Sequence, residues 1–472
     1  MDADVCPSRE PPSWTSTSRW AILAAILLGT FVGTLGNSVA NVALSAVMDA
    51  FAVPLSNALW VVTLYILFFA VLMPVCGYLG DMVGQRRMYL LGVGLFTVAS
   101  LSSGLAPSFP WLLGSRALQG VSIAPTLPAV MAIISRTFLP AQRGRAVGFW
   151  ALVNGAGHAL GPPLSGFLVQ HLGWRAVFLA GVPLCLVNLA LVWRLVPPDD
   201  DRAARGFDFA GASMLTLAAL GLMLALTQSA RWGWYTPRSL GLWGLAMIAC
   251  AGFIVIERRV AVPFVDLGLF ANRSYAAATA VIAAQLFCLF GLLLALPVFL
   301  IQVQGWSTQV AGMLILPLPL AMAVTGPLAG RVADVRGARW TCTLGMAGVA
   351  LTTLVLLSFR PGGEGQIPWW GMAGYLVAMG VGMGLTQSPA AAAVTRVVPR
   401  EQLGVATGIF HMCRFVSGTL GSAVFGLILQ GHGGGLASGF GRDLIVLAAL
   451  AVVAVLAAQG LPDGQVAEEM HP

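Results

Sequence analysis

Long uncharged runs separated by short charged or Pro/Gly-rich punctuation set the pattern of this chain. Leu59–Val75 carries no charge, the cluster Asp81, Arg86 and Arg87 follows, and the next charged residue is Arg116. From Ser274 to Gly330 there is again none. A helix needs about 20 apolar residues to cross roughly 30 Å of hydrocarbon, so that run holds two crossings. The pattern predicts fourteen membrane-spanning helices near residues 20–46, 57–79, 88–107, 111–135, 146–169, 176–196, 208–229, 240–256, 275–303, 309–330, 341–358, 370–395, 404–430 and 442–461. The expected fold is an all-α polytopic membrane protein.

Composition agrees. Of 472 residues, 58% are hydrophobic and 9% charged, with mean hydropathy +0.85, whereas a soluble domain carries about 25% charged residues. The net charge of +7 is not a nucleic-acid signal, because the arginines fall where the positive-inside rule puts them. With an even number of spans entered from the cytoplasm, 18 arginines lie in cytoplasmic segments and five in outer ones, and Arg116 and Arg414 lie inside spans. Both tails are then cytoplasmic. Seven scattered cysteines show no C-x-x-C pair and no metal-ligand spacing. Residues 1–19 lack a basic segment leading into a short apolar core, so no cleavable signal is expected.

The chain repeats itself. Gly330-Arg-Val-Ala-Asp334-Val-Arg-Gly337-Ala-Arg339 reproduces Gly77-Tyr-Leu-Gly-Asp81-Met-Val-Gly84-Gln-Arg86 at an offset of 334 − 81 = 253. Gly144, Gly148, Gly161 and Gly166 recur as Gly404, Gly408, Gly421 and Gly426, each 260 later. The expected organisation is a tail 1–19, a six-helix bundle 20–197, a linker with an inserted helix pair 198–272, a second six-helix bundle 273–461 and a tail 462–472. The linker Pro197–Asp208 holds Asp199, Asp200, Asp201, Arg202 and Arg205.

The first charged turn, Gly77 to Arg87, brackets one acid and two arginines with glycines. A carboxylate and guanidinium pair there is expected to hold helix ends together at the water boundary while the glycines allow close approach. With Gly77, Leu79, Asp81, Gly84, Arg86 and Arg87 in place, the turn resembles the loop between helices 2 and 3 of the major facilitator superfamily, with Gly80, Met82 and Gln85 as departures. On the fifth span, Gly157, Gly161, Pro162 and Gly166 resemble the antiporter motif of that family's drug exporters, although Ser165 replaces a glycine. Pro162 is expected to bend the helix, and the glycines to face the opposite bundle. Asn41-Val-Ala-Leu44, Leu113-Gly-Ser-Arg116-Ala-Leu-Gln119-Gly120 and Gly173-Trp174-Arg175 with Phe178 and Pro183 extend the resemblance over nearly the whole chain, to the fourteen-helix drug:proton antiporter branch. It implies two bundles around a midplane cavity and an exporter of small, largely apolar compounds such as drugs, antibiotics or metabolites. Alternating access, proton antiport and a bacterial inner membrane are implied with it.

An arginine at a helix centre costs roughly 2.5–3.5 kcal/mol on insertion scales, which marks Arg116 as functional. The resemblance implies a role in ordering the proton-coupling region. One departure bears on that role: Gly36 stands where the branch carries an acid, in Leu35-Gly36-Asn37-Ser38. On the predicted spans no acid falls near the midplane; Asp49, Asp81, Asp208, Glu257, Asp334, Glu401 and Asp443 sit at span ends. His158 and His411 are the remaining titratable candidates for coupling. Arg116 and Arg414 are expected to disfavour lipophilic dications and to favour neutral or anionic substrates.

Asn37, Asn41, Trp60, Tyr65, Trp150, Asn154, Gln285, Phe287, Phe290, Gln302, Gln387, His411 and Arg414 are the expected cavity lining, an apolar surface with a few amides and aromatics. No phosphate-binding loop appears, and no cofactor or metal is expected. A membrane enzyme would need clustered acids, histidines or metal ligands at one face, and the sequence shows none. The alternatives left open are a facilitator or importer of the same superfamily and a ligand sensor that does not translocate. Substrate identity and a periplasmic adaptor partner are not readable.

Overall fold

The computed structural model describes residues 16–199, 208–260, 263–359, 367–430 and 435–463. Cys6, the linker residues Asp200, Asp201, Arg202 and Arg205, and most of both predicted tails lie outside the described residues. The chain opens with α1 (Ser16–Val42), α2 (Leu44–Phe51), α3 (Leu55–Ala58), α4 (Trp60–Val83), α5 (Gln85–Gly104), α6 (Phe109–Ile123), α7 (Thr126–Thr137), α8 (Pro140–Leu172), α9 (Trp174–Leu179) and α10 (Gly181–Leu195). The pair α11 (Phe209–Trp232) and α12 (Pro237–Glu257) follows. Next come α13 (Gly268–Ala271) and α14 (Arg273–Val298), which runs on into the π-helical turn Phe299–Val303. The chain continues through α15 (Thr308–Ile315), α16 (Pro317–Arg336), α17 (Ala338–Ser358), α18 (Trp369–Val397), α19 (Leu403–Gln430) and α20 (Gly435–Ala458).

Eleven helical segments among the described residues are long and apolar enough to cross a membrane. Three further helices, α5, α8 and α18, stand where the sequence predicts crossings but are less apolar. Their polar content explains this: α5 opens on Gln85-Arg86-Arg87, α8 carries Asn154 and His158, and α18 carries Thr386-Gln387-Ser388. Proline breaks two predicted spans, with Pro125 between α6 and α7 and Pro317 at the start of α16. The last helix corrects an expectation. Because α20 begins at Gly435, Asp443 lies about two turns inside it, fully buried, with both carboxylate oxygens unpartnered among the described residues.

The two halves meet along two seams, α4 against α19 and α8 against α16. At one end of each seam the backbones touch. A Cβ on Gly77 would run into the Gly404 carbonyl, and one on Gly330 into the Gly144 carbonyl. Farther along, Gly408 sits against Met73 and Pro74, and Gly148 against Gly326 and Pro327. Only a missing side chain permits this approach. At the other end the packing opens: on the same face of α8, Pro162 is exposed and Gly166 has nothing within 4 Å of it. The inserted pair covers the α4/α19 seam, where Met223 of α11 joins Leu67, Val71 and Met412 in one buried cluster.

Candidate functional site

The closed end is held by two carboxylates. Asp81, near the end of α4, accepts hydrogen bonds from the Gly404 and Val405 N–H groups at 3.0 and 3.0 Å. The first N–H groups of a helix have no partner within it and carry the positive end of its dipole, so Asp81 caps α19 of the opposite half. Gln85 Nε2, a departure from the family pattern, donates to the same carboxylate at 2.7 Å. Asp334, near the end of α16, repeats the arrangement on α8. It accepts from the Gly144 and Arg145 N–H groups at 2.8 and 2.9 Å, and from Arg396 of α18 at 2.6 Å.

The expected pairing of these acids with the arginines of their own turns is therefore corrected. Helix N-termini compete for the carboxylates and win, because two aligned N–H donors match the two oxygens. The Arg86 backbone N–H donates to Asp199 at 2.8 Å, and its guanidinium donates to the Trp193 carbonyl. Arg136 pairs with the same Asp199 at 2.7 Å. In the second copy, Arg339 pairs with Asp463 at 2.9 Å and Gln459 at 2.9 Å. Each half thus ties its turn to the segment after its own last helix, while the acids tie the halves together, joined by Arg143, whose Nη1 donates to the Thr395 carbonyl of the other half at 2.9 Å. Gly84 and Gly337 make both turns with φ of 114° and 87°, a region that favours glycine. Arg87 is exposed.

Arg116 of α6 is fully buried, so it does not reach the interface. Its Nε donates to the Val61 carbonyl at 2.7 Å and its Nη1 to Gln119 at 2.6 Å and the Gly36 carbonyl at 3.4 Å. Gln119 donates in turn to Ser100 at 2.9 Å, a member of the network that sequence reasoning missed. The guanidinium lies 4.5 Å from the centre of the Tyr65 ring, a cation–π distance. Its Nη2 has no partner among the described residues.

Gly157 and Gly161 of the antiporter-like stretch do not face the opposite bundle. Gly157 packs on Thr34 and Phe31, and Gly161 on Ser38, all on α1 of the same half. Gly166 has open space beside it. The face of α8 that meets α16 is set instead by Gly144, Gly148 and Gly155, because a 3.6-residue period turns Gly157 and Gly161 towards α1. Pro162 and its neighbour Pro163 lie inside α8, which continues through them to Leu172.

Between the halves, Trp150 of α8 meets His411 of α19 edge to face, with ring centres 5.7 Å apart. Among the described residues neither His411 ring nitrogen has a partner, nor has the indole Nε1 of Trp150. Arg414, 6% exposed, follows His411 by one turn. His158 is exposed and its Nδ1 lies 3.0 Å from the Asn154 carbonyl. Asn154 Nδ2 reaches Thr34 at 3.5 Å.

Other predicted lining residues are internal to one bundle. Tyr65 donates to the Gly33 carbonyl at 2.9 Å, Gln285 to the Met383 carbonyl at 2.7 Å, and Phe287 packs edge-on against Phe425. Their polar or aromatic groups are used to join helices. Phe290 packs on Gly418, Gln387 is buried, Asn37 and Trp60 are half-buried, and Asn41 and Gln302 are exposed.

Two halves joined by mutually capping helices form a known architecture, and comparison identifies it. Residues 26–422 and 279–464 match the profile of the Major Facilitator Superfamily. The chain belongs to the major facilitator superfamily. Within it, the chain is 34% identical over 411 residues to the multidrug resistance protein Stp of Mycobacterium tuberculosis, covering 86% of this chain and 75% of that one. It is 32% identical over 428 residues to the tetracenomycin C resistance and export protein of Streptomyces glaucescens, covering 90% and 78%. The fold superposes on the proton:xylose symporter XylE with a TM-score of 0.69 at 16% identity, covering 95% of this chain and 97% of that one. This is a transporter of small molecules in a lipid bilayer, not an enzyme.

Proposed function

We propose that this major facilitator protein exports small, largely apolar compounds across a bacterial inner membrane by proton antiport. The observation that carries the reading is the pair of carboxylate caps closing one end of both seams while, beyond Gly155, the α16-facing side of α8 is unpacked at Pro162 and Gly166. One closed end and one open end is one of the two states that alternating access requires. With the arginine-rich turns on the cytoplasmic side, that state is open outwards. The resistance and export relatives support the direction of transport.

In this reading α5, α8 and α18 complete fourteen crossings, as two six-helix bundles of 20–197 and 273–461 with an inserted pair within 198–272, and both termini are cytoplasmic. Arg116 and His158 serve proton coupling. Gly77, Asp81, Gly84, Gly330, Asp334 and Gly337 form the gate. The cavity lies where Trp150, Asn154, His158, His411 and Arg414 face one another.

A second reading, a facilitator without proton coupling, is favoured by one observation: Gly36 leaves Arg116 without a carboxylate. The deciding experiment is efflux of a mixed panel of neutral, anionic and cationic fluorescent compounds from cells expressing the protein, with and without a protonophore. Extrusion abolished by the protonophore is the expected result. Extrusion that survives it moves the assignment to the facilitator, and no extrusion of any compound removes the exporter.

A further inference from the structure

We infer that Arg414, His411 and Trp150 form a binding site for the oxyanion of an acidic substrate, a carboxylate or phenolate carried on an apolar body. The inference rests on the export reading above and names its substrate class.

Arg414 lies eleven residues beyond the start of α19, about 16 Å along it and well inside the membrane. It is 6% exposed and makes no hydrogen bond or ion pair among the described residues, and its Nε is enclosed. Three residues earlier on the same face, His411 is 1% exposed with both ring nitrogens unpartnered. From the opposite half comes the indole N–H of Trp150, fully enclosed and also unpartnered. Arg414 lies within electrostatic reach of both His411 and the exposed His158 of α8. Both halves therefore contribute to one place.

What these groups share is the direction of their hydrogen bonds. A guanidinium and an indole only donate, and a neutral imidazole always has one N–H to offer. The acceptors that would satisfy them are elsewhere. Asp81 and Asp334 are occupied in the caps, Glu257 accepts from the Val265 N–H at the end of α12, and Asp443 lies on α20. Buried donors without acceptors are costly and rare. The complement is a ligand with several lone pairs and a negative charge, which a guanidinium binds in preference to other groups. Phe410, edge-on to His411 at 4.9 Å, and Phe415, packed on Phe69 at 5.3 Å across the seam, flank the site and suit an apolar body. A cation placed there would meet the Arg414 charge without a counter-ion.

Three probes with one apolar body test this: pyrenebutyrate, pyrenebutanol and pyrenebutyl-trimethylammonium, bound at equilibrium to the full-length protein in lipid nanodiscs. Pyrenebutyrate is expected to bind about tenfold more tightly than the alcohol, and the ammonium more weakly than either. Arg414→Gln is expected to erase that difference while keeping alcohol binding, which reports that the variant is folded. Trp150→Phe keeps the ring shape, removes one N–H and is expected to weaken pyrenebutyrate about threefold to tenfold; it carries the test if Arg414→Gln does not fold. No binding, equal binding of all three probes, a preference for the ammonium, or a carboxylate preference that survives both variants overturns the site. Efflux from proteoliposomes separates the two readings. A carboxylate preference without efflux of any probe supports the site and overturns the exporter, and efflux without that preference does the reverse.

Discussion

Asp81 and Asp334, 253 residues apart in the repeat (334 − 81 = 253), do the same thing in opposite directions: each belongs to one half and accepts from two consecutive N–H groups near the start of a helix in the other. The contact is reciprocal, so the closed end is held by two equivalent locks related by the pseudo-twofold of the duplication. A lock made of a carboxylate and a helix N-terminus is strong when the helices touch and vanishes once they separate by a few ångströms, because the dipole's influence is confined to the first turn. That steepness suits a switch between two states.

Neutralising either lock is expected to open that end. Hydrogen bonds to a charged group contribute about 1.5–3 kcal/mol, so Asp81→Asn or Asp334→Asn should move the balance between open and closed forms by roughly one to two powers of ten. Spin labels at the exposed positions Leu160 and Leu320 report it as a shorter outer-end distance in the variants. Substrate efflux should fall with it, and the double variant should fall further than either single one. Unchanged distances in both variants would show that glycine packing alone holds the end closed.

Glycines divide into those in backbone contact and those in open space. A Cβ on Gly404 would collide with the Gly77 carbonyl, so Gly404→Ala is expected to lose most efflux even though the chain inserts normally. Gly161→Val would overlap Ser38 within its own half, and overpacking of that kind costs about 1–3 kcal/mol, read as a lower thermal transition in detergent. Gly166→Ala, with nothing within 4 Å of the new methyl, should leave both stability and efflux unchanged. Measured side by side, the three variants separate the sequence pattern from the physical contact.

Much of this was legible in the chain itself. Eleven of the predicted runs correspond, among the described residues, to helical segments long and apolar enough to cross a membrane, and helices α5, α8 and α18 stand at the other three with less apolar sequences. The repeated turn pointed to the right residues, Asp81 and Asp334, but not to their partners. The partners lie on another element hundreds of residues away, and backbone N–H groups have no letter in a sequence. The facing of Gly157 and Gly161 was misread for a related reason, since glycine spacing gives a face and not the neighbour it meets. Asp443 was placed at a span end because the apolar run near 442–461 is shorter than the helix it belongs to. The Trp150–His411 contact joins two halves, and only their packing reveals it.

Arg116 is bound by the shape of its guanidinium as well as by its charge. It donates to Val61, Gln119 and Gly36 from two different nitrogens while lying over Tyr65. A lysine offers one compact ammonium and cannot reproduce that fork. Arg116→Lys is therefore expected to leave at least one buried acceptor unpaired, at about 1–3 kcal/mol, and to lower efflux nearly as far as Arg116→Ala. Equal expression of the two variants, checked by immunoblot of membranes, makes the efflux comparison interpretable. Full activity in Arg116→Lys would reduce the role of Arg116 to charge alone.

Gly36→Asp places a carboxylate where the resemblance to drug:proton antiporters leads one to expect it, and the surroundings say what it should do. Arg116 Nη1 already reaches the Gly36 carbonyl at 3.4 Å, and its Nη2 has no partner, so a carboxylate on the same residue has a donor waiting. Space is the opposing factor, since a Cβ there comes within 3.2 Å of the Phe96 ring and the ring must yield by a few tenths of an ångström. A paired buried charge is tolerated where an unpaired one is not, so the variant should insert and fold. The new acid removes the net positive character around Arg116 and supplies a proton-binding group within the first helix, six residues before its end. Cationic dyes should then become substrates, and their extrusion should be abolished by a protonophore. The measurement is dye efflux from cells expressing the wild type and the variant in parallel. Loss of all transport in Gly36→Asp, with normal insertion, would mean that Arg116 must keep its free arm to work, and that the glycine is itself part of the mechanism.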